Sequence, residues 1–383
     1  MVSLTWEQVG VWRMKQQYLL DRAAPDQFPE VTRRLCGLHA QVMSAGELIA
    51  ATRVDGLSAD AIQTALWQDR GLVKMWLLRG TLHLINSDDF PLYVAALSTL
   101  KHYRRASWQK YHGVNNEELD AIIEAVQTIL TDVGITREQL ADKLAERTGN
   151  PRLAELLRSG WGSILKPVAF QGYLCFGASE GQNVTFVQPQ HWLGEWAAVD
   201  SQVALQTIMR RYLTAYGPAT SDDFGRWFGA EPSVAKKLLK APGLKDEVEE
   251  VQVGDWKGWM LAADVPTVRA MKPQRTVRLL PYFDAYTIGA TRDCEYILAA
   301  EHKIRVYRPQ GWISPVVLVD GQMVGVWDTE KKRSKTGRSL TALTVELFTP
   351  QPSSDVLEGI ESEAARLSTF WGNQVEVVYQ SET

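Results

Sequence analysis

The chain has 383 residues, 45% hydrophobic and 22% charged, which excludes a disordered polymer and leaves room for two to four small domains, each burying a core. Its three cysteines (Cys36, Cys175, Cys294) lie far apart and form no CxxC, which argues against a disulfide or zinc framework and for reduced thiols in the cytoplasm; no apolar run reaches the about eighteen residues of a membrane span, and no signal-peptide pattern opens the chain. A net charge of −4 predicts no nucleic-acid partner by itself, so such a partner would have to be met by local clusters of Lys and Arg.

In chain order, WEQVGVWRMKQQYLL (6–20), PEVTRRLC (29–36) and SAGELIAATR (44–53) read as helices, and LVKMWLLRGTLHLI (72–85) as a hairpin. Between the second and third helix lies GLHAQVMSAGE (37–47). Gly37 suits the left-handed position past a helix end, and Ser44 with Glu47 reads as a capping box opening the next helix. The link LHAQVM is then extended, and His39 and Gln41, two apart, face the same exposed side. On the hairpin, alternation places Arg79 and His83 on one face, for pairing with a carboxylate or for contact with phosphate. KHYRRASWQK (101–110) then holds Lys101, Arg104, Arg105 and Lys110 without an acid, three of them on one helix face, interleaved with Tyr103 and Trp108.

A repeat follows. ILTDVGITREQLADKL (129–144) and YLTAYGPATSDDFGRWF (212–228) share a helix end, a glycine, a Thr or Ser helix start and an apolar helix. Each leads, after another helical segment, to alternating apolar residues broken by a tight turn, GYLCFGASEGQNVTFVQ (172–188) and EEVQVGDWKGWMLAA (249–263). Helices followed by a hairpin wing are the winged-helix pattern, and the first hundred residues fit it too. The economical division is three winged helices, 1–100, 101–198 and 199–270, in an α+β protein.

From 271 to 383 the texture is β-rich, an antiparallel sheet or small barrel built from RTVRLLPYFDAYTIG, GWISPVVLVDGQMVGVWD and SLTALTVELFT, closed by the helix of 353–372 and the strand VEVVYQ. Asp284 in FDAY reads as a buried residue organising its turn. KKRSKTGR (331–338) carries Lys331, Lys332, Arg333 and Lys335 at a hairpin tip, either a solvated end or a probe that neutralises DNA phosphates.

No GxGxxG, P-loop, GxSxG or HExxH is present, and the six histidines (39, 83, 102, 112, 191, 302) have no metal-ligand spacing. LHAQ, WLLRGTLHLI, LLPYFDAY and GWISPVVLVDGQMVGVW, in this order over nearly the full length, resemble the AlkZ-like DNA glycosylases, also called the YcaQ family. The resemblance implies tandem winged helices with a β-rich region, and excision of bulky or cross-linked N7-alkylated purines from double-stranded DNA by a monomer without cofactor or metal. The family's signature is Gln, an aliphatic residue, then Gln or Asp; here it reads His39, Ala40, Gln41. It therefore implies that His39 and Gln41 are the catalytic pair; local charge, read separately, points to Lys101, Arg104, Arg105, Lys110, Lys331, Lys332, Arg333 and Lys335 as DNA contacts, with Arg79, His83 and Asp284 in support. No lysine stands out as a Schiff-base nucleophile, so a monofunctional enzyme associated with a bacterial nucleoid is expected. A non-catalytic DNA-binding regulator or damage sensor on the same scaffold is the other reading.

Overall fold

The structure, a computed structural model, describes residues 1–159, 162–333 and 339–380. It is α+β and falls into two compact units. The first gathers Met1–Ile62, Met209–Trp227 and Glu231–Thr383; the second gathers Gln63–Ile208 and Phe228–Ala230. Among the described residues no helix is long and apolar enough to cross a membrane.

The β-rich segment of the first unit forms an open five-stranded sheet, in the order Val277–Leu280, Val316–Val319, Gln322–Arg333, Ser339–Leu347, Gln374–Gln380. Its first four strands pair antiparallel, and the last runs parallel to Ser339–Leu347. A parallel neighbour needs a crossover. The helix Ser354–Trp371 supplies it and packs on one face, so the sheet is covered rather than closed into the barrel that the sequence left open. Strand Val316–Val319 shows how both faces are buried. Val317 and Val319 meet Ile360 and Ala364 of that helix, while Val316 and Leu318 join Met14, Leu19 and Tyr286 on the other side.

A smaller sheet in the same unit sets Val2–Leu4 parallel to Val248–Val253, which forms a hairpin with Trp256–Leu261. The helices Ser201–Tyr216, Ser221–Phe228 and Pro232–Leu239 precede that hairpin, the order expected of a wing. In the second unit, the hairpin Leu72–Trp76 and Leu82–Asn86 and the hairpin Cys175–Glu180 and Asn183–Val187 join through Lys74 and Phe176, so the two expected wings share one sheet.

The repeat is real at the level of its caps. Thr136 accepts from the Gln139 amide while the Gln139 side chain accepts from the Thr136 amide. Thr220 and Asp223 make the same reciprocal pair. Each satisfies two orphan amides at a helix start, worth about 1 kcal/mol per cap.

Candidate active site

The link between the second and third helices takes its shape from its ends. Cys36 (φ 59°) and Gly37 (φ 103°) are consecutive positive-φ residues that turn the chain out of Phe28–Arg34, and the buried Tyr216 hydroxyl donates to the Leu35 carbonyl at 2.7 Å. Burial holds that phenol protonated, as a donor must be. Only Leu38–His39 is strand, and the next helix begins at Met43, capped by extended Val42. Ser44 lies inside that helix, and no side chain caps it. The expected capping box is therefore displaced by an earlier start, set by where the link packs.

That packing depends on Gly46. A Cβ there would meet the Ala40 Cβ at 3.1 Å and the His39 carbonyl at 3.3 Å, inside ordinary van der Waals contact. Gly46→Ala is expected to push the link outward by a few tenths of an ångström and cut any activity that depends on the link several-fold. The same change raises helix propensity by about 1 kcal/mol, so thermal melting separates displacement from unfolding. Unchanged activity would show that the link tolerates the shift.

His39 is 5% exposed and its ring stacks on Phe283, centroids 4.6 Å apart and planes 26° apart. Gln41 is exposed and Ala40 is buried. The shared exposed side expected for His39 and Gln41 is thus corrected: the strand stops at His39, whose imidazole lies under an aromatic ring and is largely covered, while Gln41 is exposed.

Phe283, itself at φ 57°, is held by its neighbour. Asp284 is fully buried, caps the helix Ala285–Gly289 by accepting from the Tyr286 amide at 2.8 Å, and receives two bonds of 2.8 Å from the equally buried Arg53. Arg53 also donates to the Ile49 carbonyl at 3.1 Å, tying the third helix to the turn that carries Phe283. Sequence reasoning placed Asp284 correctly as an organiser of its turn. Beyond Phe283, Trp312 packs edge-on at 4.9 Å, and Tyr282 lies 5.3 Å from Trp312 and donates to Asp328 at 2.7 Å. Burial, then the Asp328 carboxylate, keeps the Tyr282 phenol protonated far above its ordinary range.

Arg79 occupies a positive-φ turn (57°) at Leu78–Gly80 and is not on a strand, so it does not share a strand face with His83. His83 is buried, its Nδ1 3.1 Å from the Thr81 carbonyl oxygen. The one helix face proposed for 101–110 is also corrected. His102–Arg104 is a short 3₁₀ turn, Arg105 is extended (ψ 138°), and only Lys110 lies on the helix Ala106–His112. Arg104 is ion-paired with Asp120, and its guanidinium lies over Tyr103. Lys101, Arg105 and Lys110 are exposed.

Lys331, Lys332 and Arg333 end a twelve-residue strand; Lys331 and Lys332 are exposed, and Lys332 pairs with Glu330 at 3.2 Å. Lys335 lies outside the described residues. Sequence reasoning missed Arg53, and it quoted Phe283 and Trp312 only within the motifs LLPYFDAY and GWISPVVLVDGQMVGVW, with no role for either side chain. It also missed Lys166, whose ammonium burial pushes below the ordinary lysine range, beside Gly80.

A family model described as DNA glycosylase AlkZ-like matches residues 32–370. The chain is 36% identical over 376 residues to the interstrand DNA cross-link repair glycosylase of Streptomyces sahachiroi, covering 97% of this chain and 98% of that one. The solved structure of Streptomyces sahachiroi DNA glycosylase AlkZ superposes with a TM-score of 0.88 at 34% identity, covering 98% of this chain and all of the other. The chain belongs to the AlkZ-like DNA glycosylase family.

Proposed function

We propose that this DNA glycosylase hydrolyses the N-glycosidic bond of N7-alkylated and other bulky cationic purines in double-stranded DNA, interstrand cross-links among them. The observation that carries the reading is the link itself: a packed imidazole at 39 and an exposed carboxamide at 41, in the positions of the family's signature. An N7-alkylated guanine is already cationic, so its bond to C1′ breaks without protonation of the base, and the electron pair leaves with the purine. The Gln41 amide, donor and acceptor at once, orients the water whose oxygen bonds to C1′; neutral His39 accepts that water's proton. No step needs an amine nucleophile, so the strand stays intact and the enzyme is monofunctional.

The same reading takes 1–100, 101–198 and 199–270 as winged-helix modules and 271–383 as the β-rich region. Lys101, Arg105, Lys110, Lys331, Lys332, Arg333 and Lys335 serve as phosphate contacts, with Arg104, Arg79 and His83 in structural support. Incubation with duplexes carrying N7-methylguanine or a cross-link should release free modified base without cofactor. Binding without release would make the protein a sensor.

Replacing Lys331, Lys332 and Arg333 by Ala should weaken binding to all DNA sequences about equally and lower the slope of log affinity against log salt by roughly one per lost contact. An unchanged slope would make the hairpin a solvated tip.

A further inference from the structure

The exposed end of the aromatic series beside His39 has no part in water activation as described. Trp312 leaves 37% of its surface to solvent. Its backbone is fixed. Gln310 (φ 61°) and Gly311 (φ 77°) are both left-handed, the Trp312 amide donates to Pro309 at 3.4 Å, and the Trp312 carbonyl accepts from the Arg308 amide at 2.8 Å. A non-glycine residue held at positive φ costs free energy and persists where surrounding contacts over-determine it.

The ring neighbours of Trp312 lead back to the link, since Phe283 touches both Trp312 and His39. Tyr282 completes three aromatic rings, and its hydroxyl is bound to the Asp328 carboxylate. Tyr282 and Asp328 also line, with Arg308 and Pro309, a groove of about 480 Å³ whose lining does not include Trp312, within the size range of small-ligand sites. Indole and phenol faces attract cations through their quadrupoles, and a nearby carboxylate adds Coulombic attraction. An ordinary purine is neutral and gains little from either. A purine alkylated at N7 carries a positive charge.

From this juxtaposition we infer that Trp312, with Tyr282 and Asp328, forms a cation-selective stacking site that distinguishes an N7-alkylated purine from an undamaged one. The inference rests on the proposed substrate class but not on the roles of His39 and Gln41. Trp312 contributes binding selectivity; it neither activates water nor moves a proton.

The test is equilibrium binding to three duplexes that differ at one nucleotide. One carries N7-methylguanine stabilised by a 2′-fluoro sugar, one carries neutral 7-methyl-7-deazaguanine of nearly the same shape, and one carries guanine. The wild type should bind the cationic duplex about tenfold more tightly than its neutral isostere, the scale of a desolvated cation–π contact. Trp312→Ala should abolish that preference, Trp312→Phe should keep part of it, and Asp328→Asn should reduce it without changing affinity for guanine. Gln41→Ala should keep it whole. If Trp312→Ala fails to fold, Trp312→Phe and Asp328→Asn carry the comparison. Equal binding of the cationic and neutral duplexes by the wild type overturns the inference, as does a Trp312→Ala protein that still prefers the cation. If instead Gln41→Ala releases base while the Trp312 variants lose discrimination, the hydrolytic roles fail and the stacking site stands.

Discussion

Gln41→Ala is expected to abolish base release from N7-methylguanine duplexes while DNA affinity stays within a few-fold of the wild type. Gln41 is exposed and lies past the end of the two-residue strand, so removing its amide leaves Leu38–His39 and the helix from Met43 in place. A parallel fall in affinity and activity would mean that Gln41 holds the link in shape. His39 then separates acceptance of the proton from packing. Glutamine does not titrate, whereas an ordinary imidazole changes charge near pH 6.5, within the range of a simple assay. If neutral His39 accepts the water's proton, protonation removes the base and release falls as pH drops. His39→Gln should keep partial activity and lose that acid limb, after correction for spontaneous depurination. An identical limb in both proteins would leave His39 with its contact to Phe283 and nothing more.

The largest effect on stability is expected from the Arg53–Asp284 pair. Both side chains are fully buried and joined by two bonds of 2.8 Å. Arg53→Ala strands the carboxylate and Asp284→Ala strands the guanidinium. Each should cost about 3–5 kcal/mol, because a buried charge without its partner keeps the whole desolvation penalty. Asp284→Ala also removes the cap of Ala285–Gly289, and with it the support of Phe283 over His39. Chemical denaturation should show either single change as a large fall in midpoint with base release reduced at temperatures where the protein is still folded. The apolar pair Arg53→Met with Asp284→Leu should be less destabilising than either alanine change, because it removes both charges. Additive losses in the pair would show that the residues act separately.

These residues also mark what could be read in advance. The link was legible because Gly37 and the polar pair at 39 and 41 interrupt two apolar helices, and a break in periodicity is a local signal. Asp284 was legible as a buried organiser of the FDAY turn, but the short helix Ala285–Gly289 that it caps was not, because the stretch reads as β-rich. Arg53 was not, since its partner lies 231 residues away and its own helix reads as an ordinary amphipathic segment. Local rules misjudged Ser44, where the tight contact of Gly46 with the link goes with a helix start at Met43, and 101–110, where burial of Tyr103 accompanies a break in the helix at Arg105. In both places tertiary packing outweighed a propensity worth only tenths of a kcal/mol per residue.

The pairing of Arg53 with Asp284 also sets a timetable for biosynthesis. Arg53, just past the helix Met43–Ala51, leaves the ribosome long before its partner, and at about 5–20 residues per second the wait over 231 residues is roughly 10–45 s. Val2–Leu4 waits as long for Val248–Val253. Throughout that interval Arg53 can be hydrated at no cost, while the link lacks Phe283 above it and, for the first 163 residues, Tyr216 beneath Leu35. The nascent chain therefore carries the residues of the link well before it carries the surroundings that give them their geometry, and a chain terminated before residue 283 would display the His-Ala-Gln sequence without the aromatic clamp on His39.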